Sequence, residues 1–238
     1  MDQSLQFLPR RSDTAAGNMA TDQCLLDLAE QMESVRFRHY DWTGPAFTFG
    51  RLQRWTEVAR LAATLIEAGC TGVRRPSGGG LVDHRADWTY ALVVPPASHW
   101  FRSPAIVLYR LVHHALAEAL GAVGVAASVH EGQPDSRRSG SCFARPEQLD
   151  LVRPDTDEKL GGAALRRSRS GLLLQGSICS IEFQGPGTLR SKLASAAAEA
   201  LARRLDLPIK TPSFPTLPDA AYRLLVERFQ STHWNRNR

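Results

Sequence analysis

"RRPSGGGLVDHRADWTYALVV", residues 74–94, sets three consecutive glycines between an arginine pair and an alternating apolar segment. Without Cβ atoms, the backbone of Gly78, Gly79 and Gly80 lets a ligand lie against it, with N–H groups free to face an anion or a carbonyl oxygen. Arg74 and Arg75 stand a few residues upstream, close enough to add fixed positive charge. The stretch predicts a glycine-rich loop between two extended segments. It is neither a GxxxxGK[ST] phosphate loop nor a GxGxxG fingerprint, so nucleotide folds of those types are not supported. Taken alone, three glycines also fit a flexible hairpin with solvated arginines.

Working outward, "NMATDQCLLDLAEQM" (18–32) carries Met19, Cys24, Leu25, Leu28 and Met32 at helical spacing, with Asn18 or Thr21 as the cap. "SVRFRHYDW" (34–42) alternates as a strand and leads through "TGPAFTFGRL" (43–52) to a second strand and turn. "RWTEVARLAATLIEAG" (54–69) predicts one amphipathic helix ending at Gly69. A long helix over Pro104–Leu120 precedes a short strand in "GVAASVHEG" (124–132). Residues 135–183 read as three strands with polar turns, and 188–205 and 218–234 as two closing helices. Strand clusters separated by helices predict an α+β fold: a mainly antiparallel or mixed β-sheet flanked by helices. The length suits one domain over 1–238, with 1–17 as a flexible N-terminal extension.

Composition narrows the function classes. With 43% hydrophobic and 22% charged residues the chain is an ordinary globular protein rather than a disordered one. Its apolar runs are shorter than a membrane span, and "MDQSLQFLPRRSD" lacks the apolar core of a signal peptide, so a cytoplasmic location and no membrane partner are expected. A formal charge of +5 favours acidic partners. No basic run is interleaved with aromatics, which argues against nucleic acid. Cys24, Cys70, Cys142 and Cys179 lie far apart without a CxxC pair, and the histidines lack ligand spacing, so free thiols and no metal are expected. The neighbours His113 and His114 would point to different sides of a helix.

Two further residues carry candidate chemistry. The chain has 29 basic residues, of which Lys159, in "EKLGGAALRR" (158–167), is one of only three lysines. A lysine kept amid arginines suggests a place for a compact ammonium, and Gly161 and Gly162 would give it room; a solvated turn lysine is the alternative. Cys142, in "RRSGSCF", has Arg137 and Arg138 nearby, which would lower its thiol pKa if they approach it. A small buried cysteine fits the same residue. No histidine spacing singles out a Cys-His-Asp triad.

In this order, "RRPSGGGLVDH", "DWTYALVV" and "KLGGAALRRSRSGLLLQGSI" resemble the superfamily of lipoate-protein ligase A, octanoyltransferases and biotin-protein ligases. "NMATDQCLLDLAE", "HYDWTGPAFTFGRLQ" and "LLVERFQSTHWN" extend the resemblance over nearly the whole chain. It implies the fold of class II aminoacyl-tRNA synthetases and biotin synthetase, and attachment of an octanoyl or lipoyl group to a carrier-domain lysine. By resemblance Arg75, Ser77, Gly78, Gly79 and Gly80 match the substrate loop and His84 the histidine that follows it. Lys159 matches the lysine that contacts the acyl oxygen, with Gly161, Gly162 and Ala163 beside it. Cys142 and Phe143 match the nucleophile of octanoyltransferases of the LipM type, seventeen residues before the lysine.

The resemblance therefore implies a Cys142 thioester route that needs no cofactor. Acyl carrier protein would be the donor, a lipoyl domain or the glycine-cleavage H protein the acceptor, and the enzyme a monomer. The alternatives it leaves are an ATP- and Mg-dependent ligase acting through lipoyl-AMP, and a non-catalytic acyl-binding relative. Many ligases add an accessory domain, and a chain ending as this one does favours the transferase. A biotin-ligase loop would carry a GRGRxGR-like pattern, which is absent here. Gln175 stands where several members have histidine.

Overall fold

The computed structural model describes residues 3–132, 146–179 and 187–237. Among them, nine strands form one mixed sheet and three a smaller one. The large sheet runs β12(Ile209–Lys210), β1(Leu5–Phe7), β3(Val35–Trp42), β7(Asp87–Val94), β11(Leu172–Cys179), β10(Lys159–Arg167), β9(Leu151–Val152) and β8(Ser128–Val129), with β2(Arg11–Asp13) also paired to β3. Pairings from β3 through β8 are antiparallel; β1, β2 and β12 join in parallel. The small sheet is β5(Thr71–Arg74), β4(Ala46–Phe49) and β6(Val82–Asp83). The expected α+β fold with a mixed sheet is the one observed.

Side-chain alternation explains the two layers. On β7, Trp88, Tyr90, Leu92 and Val94 face the core beneath α4(Ala105–Ala122) and α5(Thr188–Leu205), while Ala91 and Val93 face the core built on α1(Ala15–Asp27). On β11, Leu172, Leu174 and Ile178 take the first side and Leu173 the second. Such period-two partition lets one strand seal two cores. By the same parity Arg38 and Tyr40 of β3, Thr89 of β7, and Gln175 and Ser177 of β11 all project on the α1 side. There they are gathered below a cavity that the aliphatic residues do not fill.

α1 is buried from Ala15 through Leu26, sandwiched between the sheet and α6(Asp219–Gln230). It begins earlier than expected. Thr14, not Asn18 or Thr21, is the cap, its Oγ1 accepting from the Gly17 N–H at 3.1 Å. Residues 5–13 are likewise not a flexible extension. β1 is paired on both edges and Leu5 and Leu8 are core residues, so the segment is fixed by distant strands rather than by any periodicity of its own. The predicted helix over 54–69 is two helices, α2(Trp55–Leu61) and α3(Ala63–Glu67), because Ala62 leaves helical geometry (φ −97°, ψ 11°). No helix among the described residues is long and apolar enough to cross a membrane.

Candidate active site

The glycine loop and Lys159, separated by nearly eighty residues, face one cavity. Its walls include Thr48, Arg75, Gly79, Gly80, Val82 and His84 on one side and Asp150, Lys159, Gly162, Ala163 and Ala164 on the other. Met19, Tyr40, Trp42, Thr89, Glu147, Gln175, Gly176 and Ser177 complete it. Of the expected site residues, Arg75, Gly79, Gly80, His84, Lys159, Gly162 and Ala163 therefore come together. Ser77, Gly78 and Gly161 do not line the cavity, and Cys142 lies outside the described residues.

Lys159 reaches the cavity through an irregularity in β10. Against β9, Lys159 pairs Val152 and Gly161 pairs Leu151, so Leu160 is an extra residue in a β-bulge. Leu160 and Ala163 pack toward the α4/α5 core, and the bulge throws Lys159 onto the opposite face, shared with Gly162 and Ala164. There Nζ lies 2.6 Å from Asp150 Oδ2, and both side chains are almost wholly buried. Burial pushes the Asp150 carboxyl up even against the lysine's pull; the Glu147 N–H, 2.6 Å away, also holds it as an acceptor.

The glycine pair after Lys159 has two separate jobs. A Cβ at Gly162 would stand 2.6 Å from Asp150 Oδ1 and 3.3 Å from Lys159 Nζ, so glycine makes space for the ion pair. A Cβ at Gly161 would meet the Ser177 carbonyl oxygen at 2.9 Å, so this glycine serves the approach of β11.

Opposite, the two arginines diverge. Arg74 is buried and donates through its guanidinium to the carbonyls of Arg51, Gln53, Trp234 and Asn235 at 2.7–3.0 Å. It ties the loop to the chain's last helix, α7(Thr232–Arg236), and does not face the cavity as a ligand charge. Arg75 Nη2 donates to the Gly78 and Gly80 carbonyls, both at 2.8 Å, and Nη1 to Thr48 Oγ1 at 2.7 Å. Its charge thus shapes the loop from beneath. Gly79 adopts φ +84°, and a Cβ on the facing Gly50 would lie 1.9 Å from the Gly79 oxygen, so both positions need glycine.

Behind the loop lies polar machinery that ordinary residue types concealed. Ser77 Oγ donates to Gln175 Oε1 at 2.6 Å, and Gln175 Nε2 donates to Asp22 Oδ2 at 2.7 Å. Asp22 is also paired with Arg38 (2.7 Å) and accepts from the Tyr40 hydroxyl (3.1 Å). Gln175 thereby connects the glycine loop to a fully buried ion pair. His84 Nδ1 stands 2.7 Å from Asp87 Oδ2 and Nε2 stands 2.7 Å from Thr48 Oγ1, while the Trp42 ring stacks on the imidazole at 4.0 Å. Burial would raise the Asp87 carboxyl, but His84 together with hydrogen bonds from Ser177 and Thr89 outweighs it and holds the group below its ordinary value. In the sequence the one visible hint was the His84–Asp87 spacing of three.

An α+β domain with a cavity walled by its glycine loop and Lys159 is what these elements define. Residues 14–187 match the family model described as lipoyl protein ligase A/B catalytic domain. The chain belongs to that family. An octanoyltransferase LipM of Kyrpidia tusciae is 30% identical over 186 residues, covering 74% of this chain and 66% of that protein. An octanoyltransferase LipM of Geobacillus kaustophilus is 31% identical over 173 residues, covering 68% and 60%. The chain thus spans less than two thirds of the length of these curated relatives. Two solved structures share the fold at 16% identity. One is a lipoate-protein ligase A bound with ATP (TM-score 0.74, covering 99% of this chain and 98% of that one). The other is a bipartite lipoate protein ligase of Thermoplasma acidophilum (TM-score 0.72, covering 99% and 96%).

Proposed function

We propose that this chain is an acyltransferase of protein lipoylation, moving an octanoyl or lipoyl group onto a lysine of a lipoyl-domain or H-protein acceptor. Cys142 would carry the acyl group as a thioester, and Lys159 would stabilise the oxygen of the acyl carbon. The observation that carries the reading is the Lys159–Asp150 pair on the cavity wall beside Gly162, across from the glycine loop. An ammonium fixed by one carboxylate and shielded from water is a preorganised donor for oxyanion charge. The carboxylate and the small neighbour hold it in place, whereas a guanidinium would need more room and a planar partner. The relatives named octanoyltransferase LipM support the choice of group and of transfer.

Thioester exchange onto a cysteine and then onto an amine runs downhill to the amide without a nucleotide. We assign no cofactor to the reaction, and acyl carrier protein as donor. The chain would work as one catalytic domain, monomeric and cytoplasmic.

Intact-protein mass after mixing with octanoyl-acyl carrier protein, in the absence of ATP, tests this reading. A gain of one octanoyl group, lost in Cys142→Ser, is the expected result. Lys159→Ala should slow overall transfer by about 10²- to 10³-fold, the usual cost of an oxyanion donor. No mass gain, with lipoate-dependent release of pyrophosphate from ATP, would instead assign the chain to ligase chemistry and make Cys142 a structural thiol.

A further inference from the structure

The cavity wall opposite Lys159 holds an uninterrupted hydrogen-bonded line: Arg75 Nη1, Thr48 Oγ1, His84 Nε2, then His84 Nδ1 to Asp87 Oδ2, each step 2.7 Å. For a neutral His84 its hydrogens follow from the donors and acceptors along the line. A guanidinium can only donate, so Arg75 occupies a lone pair of the Thr48 oxygen. An ionised carboxylate can only accept, so His84 Nδ1 carries the hydrogen facing Asp87. A neutral imidazole then presents a lone pair at Nε2, and the Thr48 hydroxyl donates to it. A protonated His84 would instead donate from Nε2 to the second lone pair of Thr48, so the arrangement belongs to the neutral imidazole.

This is the hydroxyl–imidazole–carboxylate order by which a triad moves a proton. The surroundings hold it in that state. Thr89 and Ser177 donate to the same Asp87 oxygen at 2.8 and 2.5 Å, and Trp42 fixes the ring plane by stacking. Trp42 is itself tied down through Nε1 to Thr89 Oγ1 at 2.8 Å. The other Asp87 oxygen, Oδ1, is buried with no hydrogen-bond partner among the described residues. A purely structural carboxylate would be expected to satisfy both oxygens. Thr48 and His84 both line the cavity; Asp87 lies behind them.

We propose that Thr48, His84 and Asp87 form a proton relay that deprotonates the acceptor amine as it attacks the acyl carbon. This rests on the acyl-transfer reading, but not on which leaving group carries the acyl. The amine enters as the free base and its nitrogen forms the C–N bond. Its surplus proton passes to Thr48 Oγ1 while the Thr48 proton moves to His84 Nε2. Asp87 stabilises the imidazolium, and the bond from the acyl carbon to the leaving group breaks with the electron pair going to that group. His84 then returns the proton along the same line to the leaving group or to water. Thr48 and His84 are the catalytic residues of the relay, and Asp87 and Trp42 position them.

The test compares two acceptors under one donor, octanoyl-acyl carrier protein: a lipoyl domain, and hydroxylamine, whose adduct nitrogen is acidic enough to shed its proton to water. Thr48→Val should slow transfer to the lipoyl lysine by about 100-fold, slow hydroxamate formation at least tenfold less than that, and be largely rescued by Thr48→Ser, as expected of general-base loss. Asp87→Asn, which keeps shape, should show the same selective loss and decides the matter if Thr48→Val fails to fold. Equal loss for both acceptors, no loss for either, or a Thr48→Ser variant as slow as Thr48→Val would overturn the relay. A wild-type protein that acylates neither acceptor would overturn the acyl-transfer reading and the relay with it, whereas normal wild-type transfer with an unaffected Thr48→Val sinks the relay alone.

Discussion

The two walls of the cavity are built on opposite plans. On the glycine-loop wall polar groups are tied into a web: Arg75 holds two loop carbonyls and Thr48, Ser77 holds Gln175, and Gln175 holds Asp22. On the lysine wall a bulge, Gly162 and the Asp150 carboxylate position the ammonium. The first wall is suited to holding a fixed shape, and the second to presenting one charge.

That contrast should break most visibly at glycines. Gly162→Ala would force a methyl to within 2.6 Å of Asp150 Oδ1 and so separate the ion pair. Misplacing a reacting group by about an ångström can cost on the order of 100-fold, so we expect kcat for acyl transfer to fall by that much, in a protein that still folds. Gly79→Ala, where φ is +84°, should be destabilised by about 1–2 kcal/mol in chemical denaturation. Gly78→Ala, whose Cβ would meet nothing within 4 Å, should change neither. Three equal effects would show that the walls are alike after all.

Much of the lysine wall was legible because it uses uncommon residues: a rare lysine and a glycine pair stand out in an arginine-rich chain. The glycine loop announced itself for the same reason. Asp150, Thr48, Asp87 and Gln175 did not, since single polar residues on strands gain meaning only from the parity and pairing that bring distant strands together. The bulge at Leu160, which decides where Lys159 points, is a matter of register between β9 and β10 and leaves no mark in the local pattern. The first strand was missed because three residues held on both edges by distant partners need no periodicity of their own.

Support for the lysine wall can be separated from support for the rest by pH. His113, on α4, hydrogen-bonds through Nδ1 to the carbonyl of Leu149, a residue at φ 71°, and so braces the turn that presents Asp150. Burial pulls the His113 imidazole down to about 4, against the Leu149 hydrogen bond, with Lys159 and His114 adding to the fall. His39, stacked on Trp88 in the sheet, is also lowered to about 4 by burial, assisted by Arg10, Arg38 and Arg190 and opposed by Asp41. Each group binds its proton more readily in the unfolded chain, so stability is present above pH 6.5 and declines as pH falls toward 4. For a fully buried histidine the loss is on the order of 3 kcal/mol. Urea midpoints across this window should fall less steeply in His113→Gln than in wild type. A parallel curve would mean that His113 does not stay neutral in the fold.

The smallest effect concerns three arginines clustered near Trp234. Arg166 lies on β10 beyond Ala164, held by Gln23 Oε1 at 2.8 Å, while Arg51 donates its own backbone N–H to the Ser77 carbonyl at 2.9 Å. Arg228 of α6 and Arg51 approach the same Trp234 ring, at 4.0 and 6.0 Å. Burial and then Arg51 push down the guanidinium pKa of both Arg166 and Arg228, with Asp27 as the opposing charge. Three cations brought this close stabilise an incoming anionic surface more than they stabilise one another. Such attraction acts mainly on encounter and weakens as salt screens it over about 8–10 Å. Arg166→Gln with Arg228→Gln should raise KM for an acidic carrier by about 3- to 10-fold at low salt, leave kcat in place, and flatten the salt dependence of KM. A KM that is independent of salt in the wild type would remove the three arginines from recognition and leave the cavity walls to select the substrate unaided.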